Sequence, residues 1–365
     1  MHAPTHVALT TAIMLTISGA PLPTRADEPY DATVLSVPRM TDEAPAAGKL
    51  VRQVAPEYAG AGVYHALYLP TDWKPGRLYP VIVEYAGNQS GLVCTGRVED
   101  CRMGYGLSGG TGYLWVVMPY VNEAEKKNQL TWWGDAGATR TYCRTNLRRI
   151  CQQYGGDTSA LFLTGFSRGA IAGGYIGLGD EATADLWLAM LPFSHHDAGS
   201  FTREGGRERL ARLRGRASFL TYGSHDNGKA NTLLGGKLLE ELGNPVVVRE
   251  IPDTAHTDRW ISVDSPVRRE MRRWMADVLE RRPGTHTVRG RVTDAEGKPL
   301  AGVRISGGEL HWTTTDAHGT YALRSLIDGP RTITAERGGQ TFQPKQQQIE
   351  LRGQDVERVD FGVAR

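Results

Sequence analysis

Between residues 50 and 282 the chain alternates short apolar runs with longer stretches of helical period. The apolar runs are Leu50–Val54, Val63–Leu69, Tyr79–Tyr85, Trp115–Pro119, Leu161–Leu163, Leu186–Leu191, Ala217–Tyr222 and Val246–Ile251. Each is short and most are bounded by Gly, Pro, Asn or Asp, so each predicts a strand. Thr139–Tyr154, the small-residue stretch after Ser167, Leu233–Leu242 and Pro266–Arg282 predict helices, with Gly155-Gly156-Asp157 and Gly243 as stops. Strands alternating with helices predict a mainly parallel sheet with helices on both faces. Arg281-Arg282-Pro283-Gly284-Thr285 then breaks the last helix. From His286 onward the helical period is gone. Short β-rich runs are separated by Asp294-Ala295-Glu296-Gly297, Asp316-Ala317-His318-Gly319 and Asp328-Gly329-Pro330, which predicts a small C-terminal all-β sandwich.

One junction in this pattern carries chemistry. Leu161-Phe162-Leu163-Thr164 runs straight into Gly165-Phe166-Ser167-Arg168-Gly169, and small residues follow. A strand must become a helix within a few residues, which strains the backbone at the serine. Gly165 and Gly169 keep Cβ atoms out of the crowded corners. Ser167 Oγ is expected at a helix N-terminus, where backbone N–H groups can face an oxyanion. Gly104–Gly112 is also glycine-rich, but its spacing is not that of a dinucleotide fingerprint.

A serine needs a base to take its proton, and the base needs a carboxylate to hold its tautomer. Two loops after later strands supply candidates. Gly223-Ser224-His225-Asp226-Asn227 follows one strand, and Pro252-Asp253-Thr254-Ala255-His256-Thr257-Asp258 follows the next. Both lie at C-terminal strand ends, where open α/β sheets place ligands. Asp226 is assigned as the acid and His256 as the base. Asp253 and Asp258 are rival acids on the histidine's own loop, and His225 is a rival base.

Length and composition set the limits. The 365 residues allow two domains, and 40% hydrophobic with 22% charged residues is a globular composition. A net charge of +2 implies no nucleic-acid or membrane partner. Val7–Ile17 is an apolar run too short to span a bilayer. With Thr24-Arg25-Ala26 as cleavage site it reads as a signal peptide over 1–26, although no Lys or Arg precedes it. Secreted or periplasmic localisation is therefore expected. Cys94, Cys101, Cys143 and Cys151 fit an oxidising compartment. A helix over 139–154 would hold Cys143 and Cys151 about 12 Å apart, so if two bridges form they should join the 94–101 loop to that helix; the alternative is one local Cys94–Cys101 bridge with two buried thiols. Ser194-His195-His196-Asp197 follows a strand and should lie near the site rim, with His196 as a substrate-binding candidate. No third metal ligand is indicated by spacing. Trp132 and Trp133 form an aromatic pair suited to stacking on a sugar or phenolic group.

Gly165-Phe166-Ser167-Arg168-Gly169, Gly223-x-x-Asp226 and Ala255-His256 together resemble the α/β-hydrolase superfamily. The lead-in from Tyr64 to Gly87 is similar to that of secreted feruloyl and acetyl-xylan esterases and polyhydroxyalkanoate depolymerases. The resemblance covers Leu50 to Arg282 and implies an α/β-hydrolase fold over 27–283. It implies oxyanion donors from the N–H of Arg168 and one N–H near Gly87. Those families carry His-Gly where this chain reads Tyr85-Ala86-Gly87-Asn88, a departure at the second donor. The stretches Val288–Asp294, Pro299–Val303 and Thr314-Thr315-Asp316-x-x-Gly319-x-Tyr321 resemble carboxypeptidase regulatory-like domains, over 286–365. The expected function is hydrolysis of a small-molecule or polysaccharide ester by Ser167, His256 and Asp226 without a cofactor. The sandwich is a candidate for cell-surface or polymer attachment. The alternatives are a serine peptidase related to prolyl oligopeptidases and a non-catalytic surface or carbohydrate-binding protein on a hydrolase scaffold.

Overall fold

A computed structural model describes residues 34–90, 94–197, 204–308 and 310–364. The apolar run at 7–17 and the expected cleavage site at 24–26 lie outside these residues. Eight strands form the main sheet: β1 (Leu50–Gln53), β2 (His65–Tyr68), β3 (Tyr79–Tyr85), β4 (Leu114–Met118), β5 (Gly156–Phe166), β6 (Ala189–Phe193), β7 (Ser218–Gly223) and β8 (Val246–Ile251). Their order is β1-β2-β4-β3-β5-β6-β7-β8. Only the β1–β2 and β2–β4 pairs are antiparallel. The helices are α1 (Met103–Ser108), α2 (Ala136–Tyr154), α3 (Arg168–Tyr175), α4 (Glu181–Ala184), α5 (Gly206–Ala211), α6 (Lys229–Glu241) and α7 (Pro266–Arg281). Successive side chains on a strand point to opposite faces. On β7, Phe219 meets Trp274 of α7, while Leu220 faces Gly236 of α6, so these two helices cover opposite faces. This is the α/β-hydrolase arrangement, with the strands β3, β5, β6, β7 and β8 all delivering their C-terminal ends to one edge.

The departures from expectation have local causes. Helix α1 occupies the glycine-rich stretch, although Gly104 and Gly106 are poor helix formers. The helix starts on Glu84 of β3, whose carboxylate accepts from the N–H of Met103 (3.1 Å) and Gly104 (2.8 Å) and from Trp115 Nε1 (2.8 Å). A Cβ at Gly104 would lie 2.1 Å from the Trp115 ring, so glycine is needed there. Burial raises the Glu84 carboxyl to about 7, against the pull of these N–H bonds. Strand β6 begins three residues later than expected. Leu186 and Trp187 are buried in the turn after α4, where Trp187 Nε1 donates to Gly177 O (2.8 Å), and apolar burial there does not mean strand.

The expected disulfides are corrected: all four cysteines are free thiols. Cys143 of α2 lies against Tyr85, whereas Cys101 lies in a small cavity with Glu84 and Cys94. Tyr85 and Glu84 are neighbours on β3 and point to opposite faces. The sheet therefore separates Cys143 from the 94–101 loop. Cys151 is buried at the other end of α2, where a Cβ on Gly156 would meet its Sγ at 2.7 Å.

The C-terminal part has its own core. Strands β9 (Thr285–Thr293), β10 (Arg304–Ser306), β11 (Trp312–Thr314), β12 (Thr320–Ile327), β13 (Gly329–Glu336), β14 (Phe342–Gln343), β15 (Gln346–Leu351) and β16 (Phe361–Val363) form two four-stranded sheets, β12-β9-β16-β14 and β11-β10-β13-β15. Val288, Val292, Ile305, Leu323, Ile333 and Phe361 fill the space between them. The sandwich packs where β5 begins. Gln152 Nε2 donates to Trp312 O (3.2 Å), and Leu310 is buried in the core of the hydrolase part. Arg282, just before β9, bonds Asp157 (2.7 Å) and Ser159 (3.0 Å). Gly156 pairs with Tyr79 and Gly165 with Tyr85, six residues along β3, so this contact is roughly 20 Å from the serine. Among the described residues no helix is long and apolar enough to cross a membrane.

Candidate active site

The β5–α3 turn has the geometry that its sequence demands. Ser167 sits at φ 56°, ψ −115°, outside the regions open to most L-residues. A Cβ on Gly165 would lie 2.5 Å from the Gly169 backbone, and one on Gly169 would lie 2.0 Å from Tyr85 O. Only glycines allow strand, turn and helix to pack this closely. The turn is pinned by Ser167 N–H donating to Phe193 O (3.0 Å), and the Phe166 ring stacks on Phe193 and reaches His256.

Two loops bring the partners to Ser167. His256 Nε2 is 2.9 Å from Ser167 Oγ, and His256 Nδ1 is 2.9 Å from Asp226 Oδ1. The His225 N–H donates to Thr254 O (3.0 Å), which ties the acid loop to the base loop. Burial would raise the Asp226 carboxyl. Bonds from His256, Ser194 and the Gly228 N–H (2.8 Å) outweigh burial and hold it down at about 2. An ionised carboxylate only accepts, so Nδ1 carries the imidazole proton and Nε2 is left to accept from Ser167. The rivals are placed elsewhere. His225 and Asp253 are exposed, and Asp258 faces Arg102 at 3.3 Å.

Ser194 joins the site without any signal in its spacing. It is fully buried at the end of β6, with its N–H on Thr221 O (2.8 Å) and its Oγ 2.9 Å from His256 Nδ1. Its hydroxyl also helps hold the Asp226 carboxyl down, so one side chain acts on both acid and base. Ser194 and His195 have φ values of 57° and 124°. That reversal breaks the strand alternation and sends neighbouring side chains to different places. His195 is the histidine near the site, its ring 5.4 Å from that of His256. His196, expected at the rim, is instead buried against Gly235 of α6, and burial lowers its pKa to about 4. Asp197 is paired with Arg209 (2.7 Å).

Ligand atoms of His195, Asp226 and His256 lie within 4.8 Å of one another, the only such group that could hold a metal among the described residues. A cation there would compete for atoms that already hold His256 between Asp226 and Ser167.

Arg168, first residue of α3, places its N–H at the turn and its side chain beneath it. Nη2 donates to Gly87 O (2.8 Å), Nε to Ala86 O (3.3 Å) and Nη1 to Trp132 O (2.7 Å). Trp132 is 43% exposed at φ 51°, and its N–H donates to Asn88 Oδ1 (2.7 Å). Trp133 is the inner ring of the pair, packed on Tyr175 and Tyr120. Of the two, Trp132 is the one open to solvent.

Residues 287–364 match a family model described as carboxypeptidase regulatory-like domain. Over 79 residues, 22% of this chain, the sequence is 38% identical to Structural protein 27 of a virus isolated in Victoria, Australia. The chain spans 15% of the length of that curated relative. A carbohydrate esterase from gut microbiota, in truncated form, is similar in structure with a TM-score of 0.46 and 13% identity, over 66% of this chain and 100% of that one. The feruloyl esterase module from Clostridium thermocellum gives a TM-score of 0.42 and 14% identity, over 67% and 94% of the two chains. A thermostable esterase gives 0.44 and 16%, with 62% of each chain covered.

Proposed function

We propose that this protein is an exported serine hydrolase of carboxylic esters. The observation that carries the reading is the Ser167–His256–Asp226 chain, with 2.9 Å at both links. Ser167 Oγ attacks the ester carbonyl as its proton passes to His256 Nε2. The Arg168 N–H and an N–H of the 86–88 loop receive the oxyanion. Collapse forms the acyl-enzyme, and His256 returns the proton to the leaving alcohol. A water then repeats the sequence and releases the acid. Asp226 stays ionised throughout and stabilises the imidazolium.

Trp132 supports a substrate with a flat or sugar-like group, a phenolic or carbohydrate ester. The sandwich, docked far from Ser167, suits attachment to a surface or polymer better than chemistry. The test is a panel of p-nitrophenyl, feruloyl and acetyl-sugar esters, with an anilide matched to one of the acyl groups. Hydrolysis of at least one ester, lost in Ser167→Ala, is expected. Faster turnover of the anilide than of its ester would make the protein a peptidase instead.

A further inference from the structure

The side chain of Arg168 has a function that its backbone N–H does not explain. It is 1% exposed, and among the described residues no carboxylate pairs with it. Burial accordingly lowers its pKa. A buried cation without an anion is costly, and a long basic side chain at a helix start could reach solvent instead. Here the guanidinium is turned inward over the Tyr120 ring, 4.0 Å from the centroid, and its donors go to the carbonyls of Ala86, Gly87 and Trp132. Those carbonyls belong to the 86–88 loop and to the loop that carries Trp132. The 86–88 loop backs directly onto the nucleophile's neighbour, since a Cβ on Gly87 would meet Phe166 at 3.3 Å. This loop is also where the sequence departs from the His-Gly pattern.

In a planar trans peptide the C=O and the following N–H point in opposite directions. With the Ala86 and Gly87 carbonyls on the guanidinium, the N–H groups of Gly87 and Asn88 are turned the other way. A cation on the oxygen end of a peptide also polarises its N–H into a stronger donor. We propose that the Arg168 guanidinium is a positioning residue of the oxyanion hole: it aims and strengthens the donors of the 86–88 loop, and through Trp132 fixes the substrate wall to the same anchor. This rests on the esterase reading above. The guanidinium touches no substrate. Its effect is read where negative charge develops, in kcat rather than KM.

The experiment compares wild type, Arg168→Ala, Arg168→Lys and Ser167→Ala on p-nitrophenyl acetate, each checked for folding. Loss of one oxyanion donor costs about 10²–10³ in kcat. Arg168→Ala keeps the backbone N–H and should lose about a hundredfold in kcat, with KM within about threefold. Its inactivation by a fluorophosphonate should slow by the same factor. Low millimolar guanidinium should restore at least part of the kcat, whereas urea, of the same shape but neutral, should not. Arg168→Lys covers the case in which the alanine variant does not fold. It keeps the charge but cannot serve three carbonyls, and it should fall between wild type and Arg168→Ala. An Arg168→Ala kcat within threefold of wild type, a change confined to KM, or equal response to urea and guanidinium would overturn the proposal. Wild-type turnover that vanishes in Ser167→Ala keeps the esterase reading in either case. Absence of wild-type turnover on every ester tried would overturn both.

Discussion

Ser194→Ala isolates one hydroxyl. Both residues carry a Cβ, so the backbone cost of φ 57° at this position is unchanged. The hydroxyl lies 2.9 Å from His256 Nδ1 and helps hold the Asp226 carboxyl down. A bond to a charged group is worth about 1.5–3 kcal/mol, and the site is buried, so stability should fall by about 2 kcal/mol. Only the part that grows as His256 becomes cationic reaches kcat. We expect about a tenfold loss of kcat, equal to about 1.4 kcal/mol, with KM unchanged. Asp226 should lose one of the bonds that hold its carboxyl near 2. A depressed carboxyl adds stability above its unfolded value that is lost as pH falls through the folded one. The variant should therefore begin acid unfolding at higher pH than wild type. The assays are kcat and KM on a soluble ester, and urea unfolding between about pH 2 and 7. A kcat within twofold of wild type would refute this role of Ser194.

Three further outcomes are expected. The Glu84 carboxyl is raised from 4.5 to about 7 by burial, so its contribution is fully present below its unfolded value and lost as pH rises through 7; at 1.36 kcal/mol per unit the loss is about 3 kcal/mol. Glu84→Gln should flatten the stability profile between about pH 4.5 and 7, and an unchanged slope in urea unfolding would refute this. A chain ending at Arg282 should keep its kcat/KM on a small ester and lose about 2 kcal/mol of stability as Leu310 leaves the hydrolase core; a hundredfold drop in the folded protein would place the sandwich in the site. Trp132→Ala should raise KM about three- to tenfold for aryl or sugar esters, as expected for loss of a stacking contact, and leave a small aliphatic ester unchanged. Equal effects on both substrates would remove Trp132 from the binding wall.

Much of the site was legible because it sits at strand ends. The Gly165–Gly169 turn, Asp226 and His256 each follow an apolar run whose C-terminal end reaches the same edge of the sheet. Strand existence, which periodicity reads well, was enough to place them. Ser194 follows a strand too, but the positive φ values at 194 and 195 reset which side chain faces the site. His196 was the substrate-binding candidate, and His195 takes that place instead. Arg168 was legible as a backbone donor only, since nothing in the spacing tells a solvent-directed arginine from one folded inward onto three carbonyls. The disulfide expectation failed on the same kind of information. Helix geometry excluded Cys143–Cys151 correctly, but which sheet face each cysteine occupies depends on pairing between distant elements.

The central claim is that Ser167 is a nucleophile activated by His256. Its most direct test is covalent labelling by a fluorophosphonate, read by intact mass and then by peptide mapping. The account predicts one adduct per chain, on the peptide carrying Ser167, absent from Ser167→Ala and slowed by orders of magnitude in His256→Ala. No adduct on the folded wild-type protein, or an adduct on any other residue, would contradict it.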